Sequence, residues 1–254
     1  MSEFNIYQII LVLSVVFAVG VFIALFFISA PYGRHARRGW GPQLPNWVGW
    51  LLMESFSAIV MAVMFVIGDA PRTLTAYFFL LMWEAHYIHR AYIYPFMLRG
   101  ETKKMPLLVV LMAVVFNLGN GYVNGRYLFH FADGRYTAAW LLDPRFIIGV
   151  LLFIEGFVIN RNADATLRGL RKPGETGYKI PHGGLYEFIS CPNYFGEILE
   201  WIGWALATWS LPGLTFAIWT FANLAPRARS HHKWYHETFN EYPANRKALI
   251  PGIW

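Results

Sequence analysis

His86, Tyr87, His89 and Arg90 crowd one short stretch of the chain, and Tyr94 follows one helical turn beyond Arg90. At spacings of three and four, Tyr87 and Arg90 share a helix face, with Tyr94 four residues farther along. Glu54 stands alone in an apolar run, Asn160 and Asp164 are spaced to share a face, and Glu197 and Glu200 follow Pro192-Asn193. Near the C-terminus Arg227, His231 and Tyr235 recur at helical spacing. A phenol and a carboxyl in a dry interior, with Arg, Asn and His at its mouth, suit an apolar substrate meeting an anionic, water-soluble co-substrate. Ionisable groups are costly inside a bilayer, so each is a functional candidate. Simpler roles stand beside these: snorkelling or an Arg partner for Glu54, and helix capping for one of Glu197 and Glu200. Asn117, Asn120 and Asn124 are expected to bond between helices, and the Arg227 face also suits a helix lying on anionic lipid. Glu155 lies mid-span with no role assigned.

The elements that must hold these residues are membrane helices. Of 254 residues, 56% are hydrophobic and only 14% charged, against about 25% charged in soluble domains. This excludes a disordered chain, a coiled coil and an ordinary cytosolic enzyme. Runs of about 20 apolar residues mark crossings, and seven are predicted, at about 7–28, 47–68, 74–94, 106–123, 146–160, 194–209 and 212–225. Sixteen of the 21 Lys/Arg fall in one set of alternate connecting segments and four in the other. Basic residues concentrate in cytoplasmic loops, which places the N-terminus outside or lumenal and the C-terminus cytoplasmic. The expectation is an all-α integral membrane protein: a seven-transmembrane helix bundle forming a single domain over 1–254, with cytoplasmic loops and tail closing over a cofactor pocket. The long polar stretches, 161–192 and 226–254, both fall on the cytoplasmic side.

Several chemistries are set aside. The single Cys191 rules out a multi-thiolate zinc site. His86-x-x-His89 and His231-His232-x-x-x-His236 are similar to the histidine boxes of membrane di-iron enzymes. However, His35, His130 and His182 stand on separate loops and no His-Glu-x-x-His occurs, so no metal is expected. Neither a Gly-x-Gly-x-x-Gly fingerprint nor a Walker A loop is present. No nucleic-acid or obligate protein partner is expected, only the bilayer and a small lipid.

The same residues carry a resemblance. The chain resembles the membrane-embedded steroid 5α-reductases through Pro31-Tyr32-Gly33-Arg34-His35, Trp50-x-x-x-Glu54 and His86-Tyr87-Ile88-His89-Arg90-Ala91-Tyr92-Ile93-Tyr94-Pro95. It continues through Gly119-Asn120-Gly121, Asp143-Pro144-Arg145-Phe146 and Asn160-x-x-x-Asp164. The most specific run is Leu170-Arg171-Lys172-Pro173-Gly174-Glu175-Thr176-Gly177-Tyr178-Lys179-Ile180-Pro181, followed by Gly183-Gly184-Leu185, Asn193-Tyr194-Phe195-Gly196-Glu197 and the tail from Arg227 to Pro251. The tail alone is shared with sterol reductases and isoprenylcysteine methyltransferases. Departures at Ser190-Cys191-Pro192, Glu101 and Arg161-Asn162-Ala163 lead to the expectation of a distant, bacterial relative.

The resemblance implies NADPH-dependent reduction of the Δ4 double bond of 3-oxo-Δ4-steroids. It assigns Glu54 and Tyr87 to the steroid 3-ketone. To NADPH it assigns Arg90, Tyr94, Arg99, Asn160, Asp164, Arg171, Tyr178, Asn193, Glu197, Arg227, His231 and Tyr235, with Tyr32, Arg34 and Trp50 joining the set. An enone accepts hydride at its β carbon as charge moves to the ketone oxygen, and donors aimed there lower the barrier. Glu54 serves either as a neutral donor, as ketosteroid isomerase uses a carboxylic acid, or as a carboxylate orienting the phenol. The runner-up substrate is another lipid enone, a polyprenol or a trans-2-enoyl thioester. A membrane S-adenosylmethionine-dependent methyltransferase and a non-catalytic sterol-binding protein come after it. The location implied is multi-pass: a bacterial inner membrane, or the endoplasmic reticulum in a eukaryote.

Overall fold

In the computed structural model, described for every residue except 32, 36, 38, 99–103, 133, 173, 174 and 176, the apolar runs become helices. They are α1 (Glu3–Phe27), α2 (Asn46–Ile67), α3 (Leu74–Ile88), the short α4 (Tyr94–Met97), α5 (Leu107–Arg126), α6 (Pro144–Gly169), α7 (Pro192–Thr208) and α8 (Leu211–Thr238). Their starts are chemically marked. Ser2, Thr73, Asp143 and Ser210 accept the backbone N–H groups of Asn5, Ala76, Arg145 and Gly213, satisfying donors that a helix start leaves open. Pro144, Pro192 and Pro212 occupy first turns, where a missing N–H is not felt.

Among the described residues, four helices are long and apolar enough to cross a membrane: α1, α2, α5 with its extension to Phe131, and α6. Helices α3 and α7, at 15 and 17 residues, are shorter than the roughly 20 of a full crossing. Helix α8 runs on well past the predicted end of its span, through Pro226, into the basic tail. Outward faces carry exposed Val12, Phe17, Val66, Val115 and Leu151, a surface suited to lipid rather than water. Glu155 is on the exposed side of α6.

Helices α6 and α7 pack backbone to backbone. Gly149 and Gly156 on α6, and Gly196 and Gly203 on α7, each stand seven residues apart. A Cβ on Gly156 would strike the backbone of Glu200 and Gly196, and one on Gly203 would strike the backbone of Phe153 and Gly149. The repeat of seven keeps both glycine stripes in register along a shallow antiparallel crossing. Small residues let helix backbones approach where lipid supplies no hydrophobic drive between them. Inside, Phe79, Trp83, Trp201, Trp204 and Phe216 form an aromatic core, with Trp201 and Phe216 centroids 4.1 Å apart.

Three features depart from a plain all-α bundle. A two-stranded antiparallel ribbon, β1 (Gln43–Pro45) with β2 (Lys104–Pro106), pairs Leu44 with Met105 and ties the starts of α2 and α5 together. Helix α3 continues through a wide π turn, His89–Ile93, in which Tyr94 N–H reaches the His89 carbonyl. Pro95 explains it, because a proline lacks the N–H that would bond Ala91 and its ring crowds that carbonyl. Finally, the expected tail divides: Arg227, His231 and Tyr235 line the main cleft as part of α8, and the remainder packs behind it. Its strand-like Lys247 pairs with Phe188 and Ser190, while the buried Arg246 donates to the Pro181 carbonyl at 2.9 Å. The end of α8 forms the cleft wall, and the tail buttresses the loop behind it.

Gly156→Ala should lower stability by about 1–3 kcal/mol, since overpacking against backbone has no side-chain escape. Gly119→Ala, with nothing within 4 Å of its Cβ, should be tolerated. Thermal unfolding in detergent compares them, and equal midpoints would remove the close-contact argument.

Candidate active site

One cleft of about 510 Å³ opens among the ends of α1, α2, α6 and α8. Its walls gather Arg34, Trp50, Tyr94, Asp164, Arg171, Tyr178, Arg227, His231 and Tyr235, all named from sequence. Arg34 comes from a short turn after α1, and its guanidinium lies over the rings of Trp234 at 4.5 Å, Tyr235 at 4.7 Å and Tyr178 at 5.1 Å. Its Nη2 donates to Tyr235 Oη at 3.4 Å, while Nη1 is buried with no hydrogen-bond partner among the described residues. On α8, spacing of four projects Arg227, His231 and Tyr235 toward the same space, and Arg227 donates to Tyr194 Oη at 3.0 Å. Tyr32 and Arg99 lie outside the described residues.

Below the cleft, Arg90 joins three elements. It reaches Asp164 on α6 at 3.4 Å and Glu197 on α7 at 3.6 Å. Its guanidinium lies over Trp50 at 4.4 Å and Tyr94 at 4.8 Å. The π turn sets this stacking, shifting Tyr94 from the simple helical register expected. Around it, Asn160 donates to the Asn193 carbonyl at 2.9 Å and to Glu197 at 3.3 Å, and Asn193 donates to Asp164 at 3.1 Å. The glycine seam carries these four residues, because Asn160 and Asp164 follow Gly156 on α6 while Asn193 and Glu197 flank Gly196 on α7.

Glu54 and Tyr87 lie deeper, outside the cleft lining. Tyr87 is 3% exposed. Asn117 donates to the Met53 carbonyl at 2.7 Å and to Glu54 at 3.4 Å. Glu54 stands on α2 and Tyr87 on α3, two helices packed against each other. The floor is therefore a phenol and a carboxyl in apolar surroundings, one charged layer beneath a basic cleft. That arrangement can hold phosphates above and polarise a buried oxygen below.

Sequence reasoning missed several members. His35 seemed isolated, yet its Nε2 meets His231 Nδ1 at 3.2 Å with stacked rings. Outside the cleft, His130 faces Asp69 at 3.0 Å and His182 meets Arg246 at 3.3 Å. Each partner is far along the chain, so no local spacing signals it. Lys179, Arg168 and Tyr194 also line the cleft; the place of Lys179 and Arg168 in the basic loop was the available signal, and Tyr194 had only its neighbour Asn193. Glu200 caps nothing; it is buried against His86. The amide expectation holds for two of the three: Asn117 bonds α2, and Asn124 Oδ1 accepts from Trp204 Nε1 at 3.0 Å, whereas Asn120 Oδ1 accepts from Asn124 within α5. No cluster of three metal-ligating side chains forms among the described residues.

His231 lies beyond the predicted span, and burial, then Arg34, Arg227 and His35, push its pKa well below the ordinary value. His35 is lowered by burial and the same two arginines. The unfolded chain takes protons near pH 6.5 that these folded rings refuse, so their stability contribution is full above that pH and falls as pH drops below it. His231→Asn should flatten the decline in unfolding midpoint between about pH 7 and 5; an unchanged slope would exclude this linkage. Arg90→Met should cost about 3–5 kcal/mol by leaving Asp164 and Glu197 uncompensated, measurable by denaturant titration.

Comparison with known proteins bears on this arrangement. The family model described as 3-oxo-5-alpha-steroid 4-dehydrogenase matches residues 103–254. The 3-oxo-5-alpha-steroid 4-dehydrogenase 1 of Macaca fascicularis is 48% identical over 224 residues, covering 87% of this chain and 84% of the relative. That of Homo sapiens is 46% identical over 227 residues, covering 89% and 86%. The steroid 5-alpha-reductase DET2 of Gossypium hirsutum is 43% identical over 243 residues, covering 94% of each. These relatives are animal and plant proteins, so the expected bacterial origin gains no support from them.

Proposed function

The chain belongs to the 3-oxo-5-alpha-steroid 4-dehydrogenase family of oxidoreductases, and from that membership we propose that it reduces the Δ4 double bond of 3-oxo-Δ4-steroids with NADPH. The observation that carries the reading is the arginine-lined cleft, with Arg90, the buried Tyr87 and the half-buried Glu54 outside its lining. The relatives support a steroid substrate, and the exposed apolar helices support a membrane setting. Seven crossings with a cytoplasmic C-terminus, and one functional unit over the whole chain, complete the proposal.

The cleft residues fit a phosphorylated dinucleotide. Arg34, Arg171, Arg227 and Lys179 face one space, and planar guanidinium forks match phosphate oxygens. The buried Nη1 of Arg34 wants an acceptor, and the cleft volume of about 510 Å³ falls within the range of ligand pockets. When bound, NADPH supplies the hydride. The chain supplies position and electrostatics. Asn160, Asp164, Asn193 and Glu197 form the rigid polar base on which the reactive end would rest, and Trp50 and Tyr94 wall it.

Tyr87 donates to the 3-ketone oxygen as negative charge gathers there, and Glu54, held by Asn117, stands beside it as second partner of that oxygen. Hydride enters at C5 and a proton at C4, so the enone becomes a saturated ketone. Aromatic packing excludes water around Tyr87, which strengthens each electrostatic contact.

Tyr87→Phe should cut turnover about 10²-fold, the effect of losing one oxyanion donor, with NADPH affinity retained. Arg171→Ala and Arg227→Ala should instead weaken NADPH affinity. The deciding assay incubates purified protein anaerobically with NADPH and a panel of enones. Loss of reduced-nicotinamide absorbance with progesterone or testosterone supports the reading. Loss only with polyprenals or enoyl thioesters would move the substrate to another lipid enone, and absence of NADPH binding would overturn it.

A further inference from the structure

One buried ionisable pair lies outside every role given above. Glu200 on α7 is 0% exposed, and its Oε1 lies 2.7 Å from Nδ1 of His86 on α3, itself 6% exposed. The second oxygen, Oε2, is buried with no hydrogen-bond partner among the described residues. As a tie between two helices this is a poor choice, because buried ionisable pairs are often no more stabilising than apolar side chains of similar volume. Retention of a carboxyl here calls for a function that packing does not supply.

The surroundings indicate which. The His86 ring stands edge-on to Tyr87, with centroids 4.9 Å apart, and edge-on to Trp201 at 4.7 Å. Tyr87 is enclosed further by Trp83 at 5.1 Å and by Trp201 at 5.8 Å. Trp83 is itself held, donating its Nε1–H to the Ser57 carbonyl at 3.2 Å. Three rings therefore fix the Tyr87 phenol, and His86 is the one whose orientation is set by a hydrogen bond to a carboxyl. An imidazole can turn over in a pocket of its own shape, and a partner on Nδ1 selects both ring orientation and tautomer. Glu200 and Trp201 are consecutive on α7, so one helix turn delivers both the bond to His86 and the ring against Tyr87. Glu200 is also seated by the glycine seam, since its backbone faces Gly156.

We propose that Glu200 is a positioning residue for Tyr87, acting through His86 to hold the phenol where it meets the ketone oxygen. The proposal rests on the reading that Tyr87 polarises that ketone. Displacement of a catalytic group by about 1 Å can cost on the order of 10²-fold in rate, so an apolar replacement that leaves His86 free to turn should slow the chemical step. Cofactor binding should be spared, because Arg34, Arg171 and Arg227 lie in the cleft above.

The test compares Glu200→Leu, Glu200→Gln and Tyr87→Phe, alone and combined, in full-length protein with NADPH and a 3-oxo-Δ4-steroid. Leucine fills the volume without a buried charge, so the fold is expected to survive, and thermal unfolding and NADPH titration verify it. The expected result is a kcat at least ~10-fold lower for Glu200→Leu at unchanged NADPH affinity. Glu200→Gln, which still bonds His86, should restore most of the rate. In the Tyr87→Phe background Glu200→Leu should add little, because residues acting as a unit are non-additive. Full turnover in Glu200→Leu, an undiminished loss in the Tyr87→Phe background, or cofactor affinity falling in step with kcat would each overturn the positioning role. Near-normal turnover of Tyr87→Phe is the separate result that would overturn the ketone assignment beneath it.

Discussion

Backbone meets backbone where α6 crosses α7, and the four glycines at that crossing make the rest of the site possible. Without a Cβ at Gly149, Gly156, Gly196 or Gly203 the two helices approach to contact along their length. Asn160 then reaches the backbone of Asn193, and Asp164 reaches its side chain. Small residues at the crossing let the backbones approach, which brings these short polar side chains within bonding reach of the facing helix. The same contact places Glu200 on His86 and Trp201 beside Tyr87. A steric property of the backbone therefore sets the geometry of a polar cluster that no single helix could hold.

Electrostatics divides the molecule along its depth. Cations cluster in and around the cleft, where Arg34, Arg171, Arg227 and Lys179 face one space. Carboxyls collect at its base and beneath, Asp164 in the lining and Glu197 and Glu54 outside it, with Arg90 pairing Asp164 and Glu197. Aromatic rings fill the volume below that. An anionic, soluble partner and an apolar one can each find their own environment within a few side chains of one another. Arg90 separates the two regions and belongs to both, pairing with acids while stacking on Trp50 and Tyr94.

Much of this was legible in the sequence because its signals are local. Apolar run length marked the helices to within a few residues over most of the chain, and spacing of four put Arg227, His231 and Tyr235 on one wall. What escaped depends on distant partners or on backbone detail. His35 looked solitary because its partner His231 lies on another element, and one of Glu197 and Glu200 was expected to cap α7 because Arg90 and His86 are far away in sequence. The π turn before Pro95 re-aims Tyr94 in a way that helical periodicity cannot express. The glycines of α6 and α7 take their meaning only from the antiparallel pairing of the two helices. The β ribbon is too short to show any alternation.

The most direct measurement of the central claim is an experimental density map of the protein with NADP⁺ and a 3-oxo-Δ4-steroid bound. The account predicts dinucleotide phosphates against Arg34, Arg171 and Arg227, the nicotinamide end at the Asn160–Asp164–Asn193–Glu197 base, and the steroid 3-ketone within hydrogen-bond reach of Tyr87 and Glu54. A dinucleotide bound elsewhere, or a ketone pointing away from Tyr87, would contradict it.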